Sequence, residues 1–157
     1  MKKGFTLIEI ILVLSIFTML VSFTTINLLR PQNISSLESI STQVIADIRN
    51  QQIKAMVGDT EGQGSAQQFG IYFESNGYTL FRGPLYNNLD TSNFKVQLEG
   101  DLTLTGISLP FNQVVFEKRS GDVAGFINGS NSFTIDHTSS GISKTLTINQ
   151  YGAISTN

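Results

Sequence analysis

The sequence predicts an α+β chain: a long N-terminal α-helix that spans a membrane with its first half and packs its C-terminal half on an antiparallel β-sheet head. Three observations carry this reading. Residues 5–29 contain one ionised side chain, Glu9. Residues 37–56 place apolar side chains three and four positions apart, the spacing of one helical face. After Gln68 the apolar period falls to two, the signature of strands. The low charge content, 14% of 157 residues, therefore reflects two unlike parts rather than one uniformly uncharged domain.

From Ile10 to Leu29 no residue is charged. A helix of about 20 residues covers roughly the 30 Å of a bilayer's hydrocarbon core. Lys2 and Lys3 precede it and favour a cytoplasmic N-terminus. The end of the run reads VSFTTINLL, without the small-residue site that a secretory signal peptidase requires. A carboxylate near a membrane span is costly and calls for a partner. If a peptidase cut between Gly4 and Phe5, the new α-amine at Phe5, with a pKa near 8, would supply that partner for Glu9.

The string KKGFTLIEIILVLSI resembles the class III signal of type IV pilins and type II secretion pseudopilins. The resemblance implies cleavage after Gly4 by a prepilin peptidase, N-methylation of Phe5, and a role for Glu9 in guiding subunits into a helical filament. It also implies a pilin-like fold and other pilin or pseudopilin subunits as partners. The expected organisation is a leader at 1–4, a transmembrane and filament-core helix at 5–30, an amphipathic continuation at 31–57 and a β-rich head at 58–157.

Arg30-Pro31 predicts a kink between Asn27 and Asn33, because proline donates no hydrogen bond and disfavours helix before it. Ser35-Ser-Leu-Glu38 then reads as a capping box that restarts the helix. Leu37, Ile40, Val44, Ile45 and Ile48 form the apolar stripe, with Glu38, Gln43, Asp47, Arg49, Gln51, Gln52 and Lys54 on the solvated side. Gly58 to Gln68 reads as a loop. Phe69–Phe73 and Tyr78–Arg82 predict a hairpin with Asn76-Gly77 as a type I′ turn. Further strands are expected at 94–98, 102–109, 113–118, 132–136, 144–149 and 151–155. Over about 40 residues toward the C-terminus the spacing is similar to GspH- and FimT-type minor pilins, down to the Gly152 turn before a last short strand.

Several chemistries lack their residues. No cysteine is present and His137 is the single histidine, so thiolate and His-rich metal sites are excluded within one chain. From Gly58 on there are five basic and nine acidic side chains, a net −4, which removes the electrostatic basis for a nucleic-acid partner. Asp136 and His137 are strand neighbours and face opposite ways, so with Ser139 they do not form a triad. Asp90, Asn93, Asp122 and Asn128 lack the spacing of a calcium loop. The expectation is a non-enzymatic subunit without catalytic residues, metal or cofactor, held in the bacterial cytoplasmic membrane with its head outside until it enters a filament. The alternatives are a DNA-binding pilin receptor and a membrane-anchored adhesin.

Overall fold

The computed structural model describes residues 4–62 and 64–157, and for residues 23–32 the helical backbone alone. Met1, Lys2 and Lys3 of the expected leader lie outside the described residues. The chain divides into two compact units, Met1–Ser35 and Ser36–Asn157. The class is α+β, as expected from the sequence.

Helix α1 runs from Leu7 to Val57. The backbone is helical throughout 27–33, so the expected kink does not interrupt the assignment, and Ser35 lies inside the helix rather than at an N-cap. A proline removes one intrahelical hydrogen bond and does not by itself stop the flanking turns from continuing. Among the described residues no helix is long and apolar enough to cross a membrane. The expected span includes residues 23–29, whose side chains lie outside the described ones.

In the first unit every apolar side chain described from Phe5 to Val21 is exposed. The second unit buries one helical stripe: Leu37, Ser41, Val44, Ile48, Gln51 and Ala55, spaced four and three apart. The end of α1 is a Schellman motif. Gly58, at φ 69°, donates to the Ala55 carbonyl at 3.1 Å, and Asp59 donates to Lys54 at 3.0 Å. Glycine at this position escapes the Cβ clash of a left-handed backbone.

The head contains eight strands among the described residues: β1 Phe69–Glu74, β2 Gly77–Arg82, β3 Phe94–Gln97, β4 Leu102–Ser108, β5 Gln113–Phe116, β6 Ser132–His137, β7 Ile142–Ile148 and β8 Ile154–Thr156. They form two antiparallel sheets, β3-β2-β1-β5 and β4-β6-β7-β8. Their inner faces and the helix stripe meet in one core, with Phe69, Phe73, Tyr78, Phe116 and Phe133 its largest members. Alternation holds in β6, where Phe133, Ile135 and His137 are buried while Ser132, Thr134 and Asp136 are half-exposed.

The β1–β2 turn differs from expectation. Glu74 pairs with Gly77, so Ser75 and Asn76 form the turn. Neither has the positive φ that a type I′ turn requires. Gly77 serves another purpose: a Cβ there would collide with the Val96 carbonyl of β3. Close packing of a third strand, not turn chemistry, requires this glycine.

The polar side of α1 is less solvated than its sequence suggests. The Tyr78 hydroxyl donates to Asp47 Oδ2 at 2.6 Å. Burial, reinforced by the Asp47 carboxylate, raises the Tyr78 pKa far above its ordinary value. Gln52 Nε2 donates to the carbonyls of Gly121 at 2.9 Å and Tyr151 at 2.8 Å. One side chain thus fastens two glycine turns to the helix. Gly152 sits at φ 75°, and a Cβ on it would strike the Gln52 amide and the Phe116 ring.

Candidate functional site

Gly4, Phe5 and Thr6 precede the helix and are exposed. A Cβ on Gly4 would meet nothing within 4 Å, and Phe5 is 79% exposed. The Gly4–Phe5 peptide bond therefore lies in non-helical, accessible backbone, the state a peptidase needs.

Thr6 is the N-cap of α1. Its Oγ1 accepts from the Glu9 backbone N–H at 3.3 Å, and Glu9 stands in the first helical turn. The Thr-x-x-Glu pattern thus stands at a helix start here, at Thr6–Glu9, whereas the matching pattern at Ser35–Glu38 lies inside the helix. The signal was present in the sequence but hidden behind the run of apolar residues that follows it. A carboxylate in this turn also faces the positive end of the helix dipole. Glu9 is exposed and flanked by Phe5, Ile10, Val13 and Leu14 in an apolar notch of about 270 Å³. The structure thus places Phe5 and Glu9 on the same notch, with Gly4 adjacent in the chain.

Beyond Glu9, the hydroxyls of Ser15, Thr18 and Ser22 are turned inward on the helix itself. Ser15 donates to Leu12 O at 2.8 Å, Thr18 to Leu14 O and Ser15 O at 2.9 Å, and Ser22 to Thr18 O at 2.8 Å. Hydroxyls bonded in this way present no unmet donor to apolar surroundings.

The head residues weighed for catalysis are not assembled. His137 is buried and its Nδ1 lies 3.2 Å from Ser139 Oγ, but Asp136 faces the other way and bonds Thr105. Among the described residues no cluster of His, Cys, Asp or Glu could hold a metal ion. Asp90 Oδ1 accepts from Ser92 N and Oγ at 2.8 and 2.7 Å, which holds its carboxyl below the usual range. Lys118 and Arg119 are exposed in a turn after β5, and Arg119 N–H caps the Ala55 carbonyl at 2.7 Å.

No curated protein and no solved structure matches the chain. Proteins with the N-terminal motif it carries are structural subunits rather than enzymes. Residues 1–25 match the prokaryotic N-terminal methylation motif, the signature of type IV pilins and pseudopilins, and mark a pilin-like protein processed by prepilin peptidase.

Proposed function

We propose that the chain is a minor pilin or pseudopilin subunit, cut between Gly4 and Phe5, N-methylated on Phe5, and incorporated into a type II secretion pseudopilus or a type IV pilus. Residues 1–4 are the leader, 5–30 the membrane and filament-core helix, 31–57 its amphipathic continuation and 58–157 the head. Before assembly the apolar helix anchors the protein in the cytoplasmic membrane with the head on the outer side. In the filament, helices of other subunits replace the lipid around it. The observation that carries this reading is the accessible Gly4–Phe5 junction placed directly before an exposed apolar helix whose first turn holds Glu9. The self-bonded hydroxyls of Ser15, Thr18 and Ser22 support the same reading, since both lipid and a helical bundle are apolar.

Glu9 pairs with the Phe5 amine of its own or a neighbouring subunit and sets axial register. An attraction between a carboxylate and an amine gains strength where water is excluded. Co-expression with an active prepilin peptidase, followed by mass measurement, tests the cleavage: the product begins at Phe5 and carries one added methyl group. An intact Met1–Gly4 leader would overturn the proposal. Glu9→Ala inserts into the membrane normally but enters filaments poorly, and its normal incorporation would remove the pairing role.

A further inference from the structure

We infer that Asn128 is a site of spontaneous deamidation, where the head slowly converts a side-chain amide into a carboxylate on the loop between β5 and β6. This goes beyond the filament role and does not depend on it. The sequence holds two Asn-Gly steps, Asn76-Gly77 and Asn128-Gly129. A glycine leaves the backbone nitrogen after an asparagine unshielded, because no Cβ stands beside it. That nitrogen attacks Cγ of the asparagine. The N–Cγ bond forms, the bond from Cγ to its amide nitrogen breaks, and ammonia leaves with the peptide proton. Water then opens the five-membered imide to aspartate or to isoaspartate. Water is the one co-reactant, and nothing is oxidised or reduced.

The fold treats the two steps in opposite ways. Ring closure turns the peptide between asparagine and glycine, so it must break whatever that peptide bonds. At Asn76-Gly77 both ends of the peptide are held. The Asn76 carbonyl accepts from the Leu98 N–H at 3.0 Å, and Gly77 pairs with Glu74 of β1 and Gln97 of β3. Gly77 is also buried hard against the Val96 carbonyl. At Asn128-Gly129, among the described residues, neither the Asn128 carbonyl nor the Gly129 N–H has a hydrogen-bond partner. Both residues are exposed, and a Cβ on Gly129 would meet nothing within 4 Å. The bonds that hold this turn lie outside the peptide that must move. The Ser130 N–H donates to the Ile127 carbonyl at 3.1 Å, and the Ser108 hydroxyl to the Gly129 carbonyl at 3.3 Å.

The reaction changes the surface around it. Ile127 and Ser130, on either side of the step, line a groove of about 320 Å³ together with Leu85 and Phe111. No charged side chain lines this groove. A carboxylate at position 128 is ionised at neutral pH and brings a negative charge to its edge. Isoaspartate in addition lengthens the main chain of the turn by one carbon. The electrostatic character of the groove therefore changes with the age of the molecule.

The test incubates the full chain in detergent and mildly alkaline buffer for several days, once folded and once in concentrated urea. Peptide mapping by mass spectrometry reads the conversion of amide to acid, and the isoaspartate content, at each asparagine. In the folded chain Asn128 converts at least about tenfold faster than Asn76, and in urea the two rates come within about twofold of each other. Gly129→Ala slows conversion at Asn128 in the folded chain by about tenfold or more, because its Cβ shields the nitrogen. Four results would overturn the inference: Asn128 staying intact in the folded chain, Asn76 converting as fast as Asn128 there, the same preference for Asn128 persisting in urea, or aspartate forming without isoaspartate.

Discussion

The two ends of α1 use apolar residues in opposite ways. From Leu7 to Val21 they point outward all round the helix and touch no core. From Leu37 to Ala55 they occupy one stripe, and two sheets cover it. Hydropathy alone would rank the first stretch as the better buried. The structure reverses that order within the isolated chain. A uniformly apolar helix needs surroundings that come from outside the molecule, whereas a striped helix is completed by its own head. The first is built for other molecules, the second for folding.

The largest effect should separate these ends directly. Ile48→Ala should lower the unfolding free energy of the head by about 2–5 kcal/mol through lost burial and a residual cavity. Leu14→Ala should leave it unchanged. Denaturant unfolding followed by near-UV circular dichroism distinguishes them, and equal effects would collapse the contrast.

The next effect concerns the turn that closes the head on the helix. Gly152→Ala forces a left-handed alanine and drives its Cβ into Gln52 and Phe116. A loss of about 1–3 kcal/mol is expected from the overpacking alone. Gly129→Ala is the control: it shares a positive φ of 82° but meets nothing within 4 Å, so only the backbone cost of about 1 kcal/mol remains.

Tyr78→Phe should cost about 1–2 kcal/mol near neutral pH by removing the hydrogen bond to Asp47. Because the folded state raises the Tyr78 pKa above its unfolded value, the protonated phenol stabilises the fold at all lower pH. That contribution is lost as pH rises above about 10. Thermal melts of the wild type should therefore fall more steeply in alkali than those of Tyr78→Phe.

The smallest effect belongs to the N-terminal end. Thr6→Ala should fray the first turn by about 1 kcal/mol and speed hydrogen exchange at Glu9 and Ile10. The head's unfolding midpoint should not move. A shift there would show that the first turn contributes to folding of the head.

Local signals were read most successfully. The stripe of α1, the Gly58–Gln68 loop and the alternation in β6 and β7 follow from periodicity and turn chemistry, and the structure has them. Errors arose where a distant partner decides the outcome. Asn76-Gly77 has turn composition, but Gly77 is required by Val96 on β3. Gln51 was assigned to the solvated face, yet it is buried because the strands carrying Phe69 and Leu80 close over that part of the helix. The split into two sheets depends on pairings between strands far apart in the chain, which composition does not encode. At the N-terminus the pattern of Gly4, Phe5 and Glu9 stands out in the sequence because its spacing is local, and it lies within the residues 1–25 that match the methylation motif. Thr6 carries the same capping pattern as Ser35, but the apolar run after it hides the helix start it marks.

The pair of hydrogen bonds that Gln52 donates to Gly121 and Tyr151 spans up to 99 positions of chain. With β8 pairing on β7, it ties residues 151–157 into the fold. Without residues 151–157, β7 loses its β8 partner and Gln52 keeps only the Gly121 carbonyl, and open edges invite association and proteolysis. Removing residues 151–157 should therefore weaken the head itself, since it strips β8 from β7 and one acceptor from Gln52.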